Sequence, residues 1–156
     1  MGNLKIAIIG TGNISRVHAN AYEKLENAEI VAACDVNSSR VSSFCSERSV
    51  PGVYSNHKEM LEKENLDAVS ICTWNNSHAE IAIDCLRAGV NVLCEKPLAM
   101  NHEQAMAMKA AEDSSDAFLM VGFVRRFDKR TMITKEFIEN GHFGEIYYAK
   151  TGIIRR

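Results

Sequence analysis

Residues 10–15 read Gly10-Thr11-Gly12-Asn13-Ile14-Ser15, and they stand between a β-branched apolar run and a stretch of helical periodicity. The run is Leu4-Lys5-Ile6-Ala7-Ile8-Ile9; the periodic stretch carries Ile14, Val17, Ala21 and Leu25. Glycine at position 10 permits a tight turn out of a strand. A second glycine at 12 lets a phosphate approach the backbone, and the following helix offers unpaired N–H groups and a favourable dipole to an anion. Thr11, Asn13 and Ile14 complete the candidate phosphate-binding residues. Ser15 replaces the third glycine of such a loop and is still small enough for close helix–strand packing. G-x-G-x-x-small is a weak signal alone; its place at a strand–helix junction strengthens it.

A second apolar run, residues 30–34, ends at Asp35, about 20 residues beyond the loop. A carboxylate there can accept both ribose hydroxyls of NAD and would repel the extra phosphate of NADP. Ser38, Ser39 and Arg40 follow closely and could hold such a phosphate. NAD is expected over NADP. Asp35 has a plainer reading, as a turn or helix-cap residue. Methyltransferases that use S-adenosylmethionine share the loop and the acidic residue, so these two features do not exclude them.

Strand and helix signals alternate to the end of the chain. Asn37 can cap a helix with Val41, Phe44 and Cys45, which stops before Val50-Pro51-Gly52. Asn56 and Glu59 resemble a capping box. Residues 68–72 form a strand, and His78, Ile81, Ala82, Cys85 and Leu86 make a helical stripe closed by Gly89. Strands at 90–94 and 118–121 flank a helix capped by Asn101, with Gln104 as its partner. A helix with Ile133, Phe137 and Ile138 ends at Asn140-Gly141, and a strand-like run occupies 145–150. This order predicts an α/β fold: a doubly wound parallel sheet of the Rossmann type.

At 46% hydrophobic and 24% charged residues, the chain has the make-up of a folded, soluble protein. A net charge of -2 gives no basic surplus for nucleic acid, and no apolar run is long enough for a membrane span. The N-terminus shows no signal-peptide pattern. Cys34, Cys45, Cys72, Cys85 and Cys94 lie in apolar runs without a C-x-x-C pair, which reads as reduced core thiols and a cytoplasmic setting. His18, His57, His102 and His142 show no ligand spacing, so no metal is expected.

Further motifs follow the later strands: Thr73-Trp74-Asn75-Asn76-Ser77-His78, then Glu95-Lys96-Pro97, then Arg125-Arg126-Phe127-Asp128. In a doubly wound sheet the carboxyl ends of the strands face the ligand crevice. Together with the Gly10 loop and Asp35, these motifs resemble the Gfo/Idh/MocA oxidoreductases. The likeness runs along essentially the whole chain, and Trp74 resembles the inositol dehydrogenase branch.

The resemblance implies hydride transfer between a nicotinamide and a sugar, inositol or sugar-derived alcohol. The catalytic lysine of the family falls on Lys96. An ammonium beside a hydroxyl stabilises a developing alkoxide and can relay its proton. Glu95 would orient the nicotinamide carboxamide or pair with a cation. Thr73, Trp74 and Asn75 would line the cofactor channel, with Trp74 stacking on the cofactor or filling the crevice wall. His78 is a cofactor contact or a packed helix-capping residue. Arg125 reaches substrate or an inter-domain seam, or pairs with Asp128.

Residues 1–122 are then the dinucleotide-binding domain. Residues 123–156 are a linker helix and the first strand, residues 145–154, of a substrate domain whose remainder is missing. Family members carry an Asp-x-x-x-His pair in that domain, and none occurs here. The chain is therefore expected to bind cofactor with little turnover, and to associate with a second copy through its unpaired strand. A non-catalytic NAD(P)-binding or regulatory module is the alternative.

Overall fold

The computed structural model describes residues 2–152. Its first unit, residues 1–122, holds a six-stranded parallel sheet. The strands are β1 (Leu4–Ile9), β2 (Ala28–Cys34), β3 (Gly52–Tyr54), β4 (Ala68–Ile71), β5 (Asn91–Cys94) and β6 (Leu119–Val121), in spatial order β3-β2-β1-β4-β5-β6. Five helices connect them: α1 (Asn13–Tyr22), α2 (Ser38–Arg48), α3 (His57–Lys63), α4 (His78–Arg87) and α5 (His102–Asp113). Strand order reverses at β1, between β2 and β4, and so opens a crevice above the carboxyl end of β1.

Side-chain alternation along β1 divides the core. Ile8 points to the face covered by Ala19 of α1 and by Val41, Phe44 and Cys45 of α2. Ala7 and Ile9 point to the opposite face, covered by Met60 of α3, by Ile81, Cys85 and Leu86 of α4, and by Met108 of α5. Both faces of the sheet are thus buried, as parallel sheets require. Each buried Leu, Ile or Phe contributes about 1.5–3 kcal/mol.

Caps set most helix starts. The side chains of Asn37, Asn56 and Asn101 accept N–H groups of Arg40, Lys58 and Gln104. The Asn56 box is incomplete: Glu59 pairs with Lys63 at 2.6 Å instead of reaching back.

Three sequence expectations need correction. The helix α2 stops before Val50 as expected, but the sequence pattern shows no strand at 52–54, where β3 pairs in register with residues 32–34 of β2. A three-residue edge strand gives too short a pattern to read. The stripe Ile14, Val17, Ala21, Leu25 faces outward, whereas Ser15 and Ala19 face the sheet. Close approach of α1 to the sheet selects small residues, so its apolar periodicity marks the wrong face.

The third correction concerns the second unit, residues 123–156. It contains α6 (Lys129–Glu139), capped by Asp128. Residues 145–152 form no strand, because a strand exists only when its backbone groups find a partner, and none is present among the described residues. Ile153 and Ile154 lie outside the described residues. The expected pairing between copies has no formed strand to rest on.

Candidate functional site

A cleft of about 610 Å³ lies at the carboxyl ends of β1, β2 and β4. Its lining brings together Gly10, Gly12, Asn13, Ile14, Asp35, Thr73 and Trp74, seven of the residues singled out from sequence. Arg40, which could hold an extra phosphate, lines it too, and the cleft adds Val36, Ser55, His57, Asn76 and Ser77, which the motifs did not single out as lining. The volume suits a small-molecule or cofactor site.

Gly10 turns at φ +88°, and a Cβ there would stand 2.7 Å from the backbone of Cys72. Only glycine lets β1 turn so close to β4. Gly12 differs: a Cβ there would meet nothing within 4 Å and would project into open space. Gly12 is also the N-cap of α1, and no side chain caps that helix. The first-turn N–H groups of α1 have no intrahelical partner, so a diphosphate fits the space that a side chain at 12 would fill.

Asp35 is buried, and protein donors hold its carboxylate. Oδ2 accepts the Thr11 N–H at 2.8 Å and the Thr11 hydroxyl at 3.0 Å; Oδ1 accepts the Asn37 N–H at 2.9 Å. Arg40 stands 3.6 Å from Oδ2. Burial pushes the Asp35 pKa up, but the Asn37 and Thr11 hydrogen bonds and the Arg40 charge outweigh it, leaving the pKa below the usual carboxylate value. Asp35 is thus an anion at neutral pH. Oδ1, with a single protein donor, retains a lone pair for a sugar hydroxyl. Thr11 is buried beside Asp35 rather than on the cleft lining.

Trp74 lines the cleft at its rim, where it is 83% exposed. Asn75 begins a 3-10 turn and is not on the lining; its neighbours Asn76 and Ser77 are. His78 stands behind the cleft and is wholly buried. Its Nδ1 lies 2.8 Å from the Pro97 carbonyl and its Nε2 3.2 Å from the Thr73 carbonyl. It fastens the loop after β4 to the Glu95-Lys96-Pro97 turn after β5.

Lys96 is exposed at the end of β5, and its ammonium makes no ion pair among the described residues. Glu95 is buried, with its Oε1 3.1 Å from His18 Nε2 and its Oε2 accepting the Lys96 N–H at 3.2 Å. The neighbour of Glu95 in this structure is thus the His18 ring, not a Lys or Arg side chain. His18 carries no local sequence signal for this contact, because Glu95 lies 77 residues away. Arg125 is 73% exposed and lies 3.8 Å from Asp128, whose closer partner is Arg130 at 3.0 Å. That Arg130 bond brings the Asp128 pKa down to about 2. Among the described residues, no cluster of His, Cys, Asp or Glu could hold a metal ion, and no helix is long and apolar enough to cross a membrane.

Residues 4–123 match the Gfo/Idh/MocA oxidoreductase family, NAD-binding Rossmann fold, and the chain belongs to that family. It is 34% identical to a myo-inositol 2-dehydrogenase of Thermotoga maritima over 91% of its length, and 35% identical to a D-glucoside 3-dehydrogenase of Escherichia coli over 98%. The chain spans only 42% and 44% of those two proteins. Among solved structures, a myo-inositol 2-dehydrogenase from Lactobacillus plantarum superposes with a TM-score of 0.87 at 34% identity, covering 92% of this chain and 43% of that one. The WlbA dehydrogenase from Bordetella pertussis, in complex with NADH and UDP-GlcNAcA, gives 0.89 at 30% identity, covering 93% and 45%.

Proposed function

We propose that this chain is the cofactor-binding part of an NAD-dependent dehydrogenase whose substrate is a secondary alcohol of a sugar, an inositol or a related polyol. The observation that carries the proposal is the anionic Asp35 on the lining of the same cleft as the open N-terminus of α1. One end holds a diphosphate and the other a ribose diol. The fixed negative charge favours NAD over NADP, while Arg40 moderates that preference.

Gly10, Gly12, Asn13 and Ile14 hold the diphosphate, Asp35 the ribose, and Thr73 and Trp74 the channel wall. The bound dinucleotide supplies the hydride acceptor. Lys96 stands at the carboxyl edge of the sheet with an uncommitted ammonium, suited to stabilise a substrate alkoxide and move its proton. Arg125 serves substrate or a domain seam. His78 supports the site from behind through the Thr73 and Pro97 carbonyls.

Turnover needs a second proton-relay group, and no Asp-x-x-x-His follows Lys96 in these residues. Residues 1–156 alone therefore bind dinucleotide with little dehydrogenation. The buried thiols, none in a disulfide, support a cytoplasmic setting.

Calorimetric titration with NADH and NADPH tests the assignment. NADH binds saturably and about tenfold or more tighter than NADPH; equal affinities would overturn the NAD preference, and no binding would overturn the reading. A polyol panel gives no sustained NADH formation from this chain; rapid formation would refute the stated dependence on further residues.

A further inference from the structure

Four polar side chains cross the sheet beneath the Glu95-Lys96-Pro97 turn. They come from three elements: His18 and Tyr22 from α1, Ser70 from β4, and Glu95 from the end of β5. His18 Nδ1 lies 3.1 Å from Ser70 Oγ, and Ser70 Oγ lies 2.6 Å from the Tyr22 hydroxyl. His18 Nε2 lies 3.1 Å from Glu95 Oε1. The His18 and Glu95 side chains are only 9% and 10% exposed, and Ser70 is fully buried.

One proton arrangement satisfies every member. A Glu95 carboxylate only accepts, so His18 Nε2 carries a proton and donates it. In a neutral ring Nδ1 then accepts from the Ser70 hydroxyl, which accepts in turn from Tyr22. Glu95 Oε2 remains for the Lys96 N–H. Gly122 leaves the room: a Cβ there would stand 3.1 Å from Glu95 Oε1.

A buried polar pair of this kind is a poor source of stability. An apolar pair of similar volume serves a core as well or better, whereas a fully satisfied polar network fixes one geometry. This network lies at the carboxyl edge of the sheet, next in sequence to Lys96. Its other end is on α1, the helix whose N-terminus borders the cleft.

We propose that His18 is a positioning residue for Lys96: by holding Glu95 Oε1 it keeps Oε2 on the Lys96 amide, and it ties that turn to the diphosphate-binding helix. The proposal rests on the function proposed above and adds to it how the lysine is aimed. It also gives dinucleotide binding at α1 a direct mechanical link to the lysine turn.

Two substitutions separate positioning from packing. His18→Gln places an amide donor near the Nε2 position and keeps Glu95. His18→Asn places its amide near Nδ1, where the carbonyl oxygen accepts from Ser70, and releases Glu95. Amide NMR of the ligand-free chain is the first readout. The Lys96 amide proton moves upfield and exchanges faster in His18→Asn, and matches wild type in His18→Gln.

Affinity for NADH relative to ADP-ribose, which lacks the nicotinamide, is the second. His18→Asn lowers that ratio about tenfold with ADP-ribose binding retained, and His18→Gln restores it. A Lys96 amide unchanged in His18→Asn would overturn the proposal, as would equal losses for both ligands. If wild type binds neither ligand, the dinucleotide reading falls, and the Lys96 amide still decides the role of His18.

Discussion

Asp35 Oδ2 accepts both the backbone N–H and the hydroxyl of Thr11, so the carboxylate at the end of β2 holds the loop at the end of β1. The residue assigned to the ribose therefore also shapes the diphosphate loop. Asp35→Ala leaves the buried Thr11 donors unpaired and lowers stability by about 1–3 kcal/mol, with weaker NADH binding. Urea melts and calorimetry check both effects.

Asp35 titrates in the folded chain below the ordinary carboxylate value. Its charge therefore contributes stability that is complete above an unfolded-state pKa of about 3.9 and is lost as pH falls through the lower folded value. The stability gap between wild type and Asp35→Asn is expected to be full at neutral pH and to narrow in that acid window. Urea melts across the range measure it; a constant gap would show that the charge is not the cause.

Gly10 and Gly12 differ in what a side chain would meet. Gly10→Ala combines a positive φ with a clash against the Cys72 backbone and costs more than about 3 kcal/mol. Gly12→Val meets open space at an ordinary φ of -77°, so it stays within about 1 kcal/mol of wild-type stability. It nonetheless loses NADH binding, because the side chain occupies the diphosphate's place. Thermal melts with calorimetry separate the two outcomes.

His78→Leu removes the link between the Thr73 and Pro97 carbonyls. The expected loss is about 1–3 kcal/mol in urea unfolding. NADH affinity falls as well, although the residue is not on the cleft lining, because both flanking loops lose their fastening.

All five thiols are buried. Burial, aided by nearby acidic groups or thiols, pushes Cys34, Cys72, Cys85 and Cys94 up to about 12, and burial raises Cys45. Ellman's reagent at mildly alkaline pH is expected to find no fast-reacting thiol in the native chain and five after denaturation. A rapid native reaction would show an open thiol.

The parallel sheet was readable because Gly10, Asp35 and the β-branched strands each carry a local signal in the order the fold uses. The α4 stripe of Ile81, Cys85 and Leu86 was readable for the same reason. α1 was misread because its sheet-facing side is chosen for smallness, so Ser15 and Ala19 carry the contact while Ile14 and Val17 carry the periodicity. The His18–Glu95 contact joins residues 77 apart in sequence, and no local pattern reports such a distance. Residues 145–152 have strand propensity without a pairing partner, and propensity alone does not make a strand.

Trp74, the single tryptophan, lies on the rim of the cleft and gives the most direct test of a dinucleotide seated there. Its emission is followed during titration with NADH, in wild type and in Gly12→Val. A dinucleotide seated at the α1 N-terminus gives saturable quenching with energy transfer to the bound nicotinamide in wild type, and neither in Gly12→Val. An unquenched Trp74 at millimolar NADH, or equal quenching in the two chains, would contradict it.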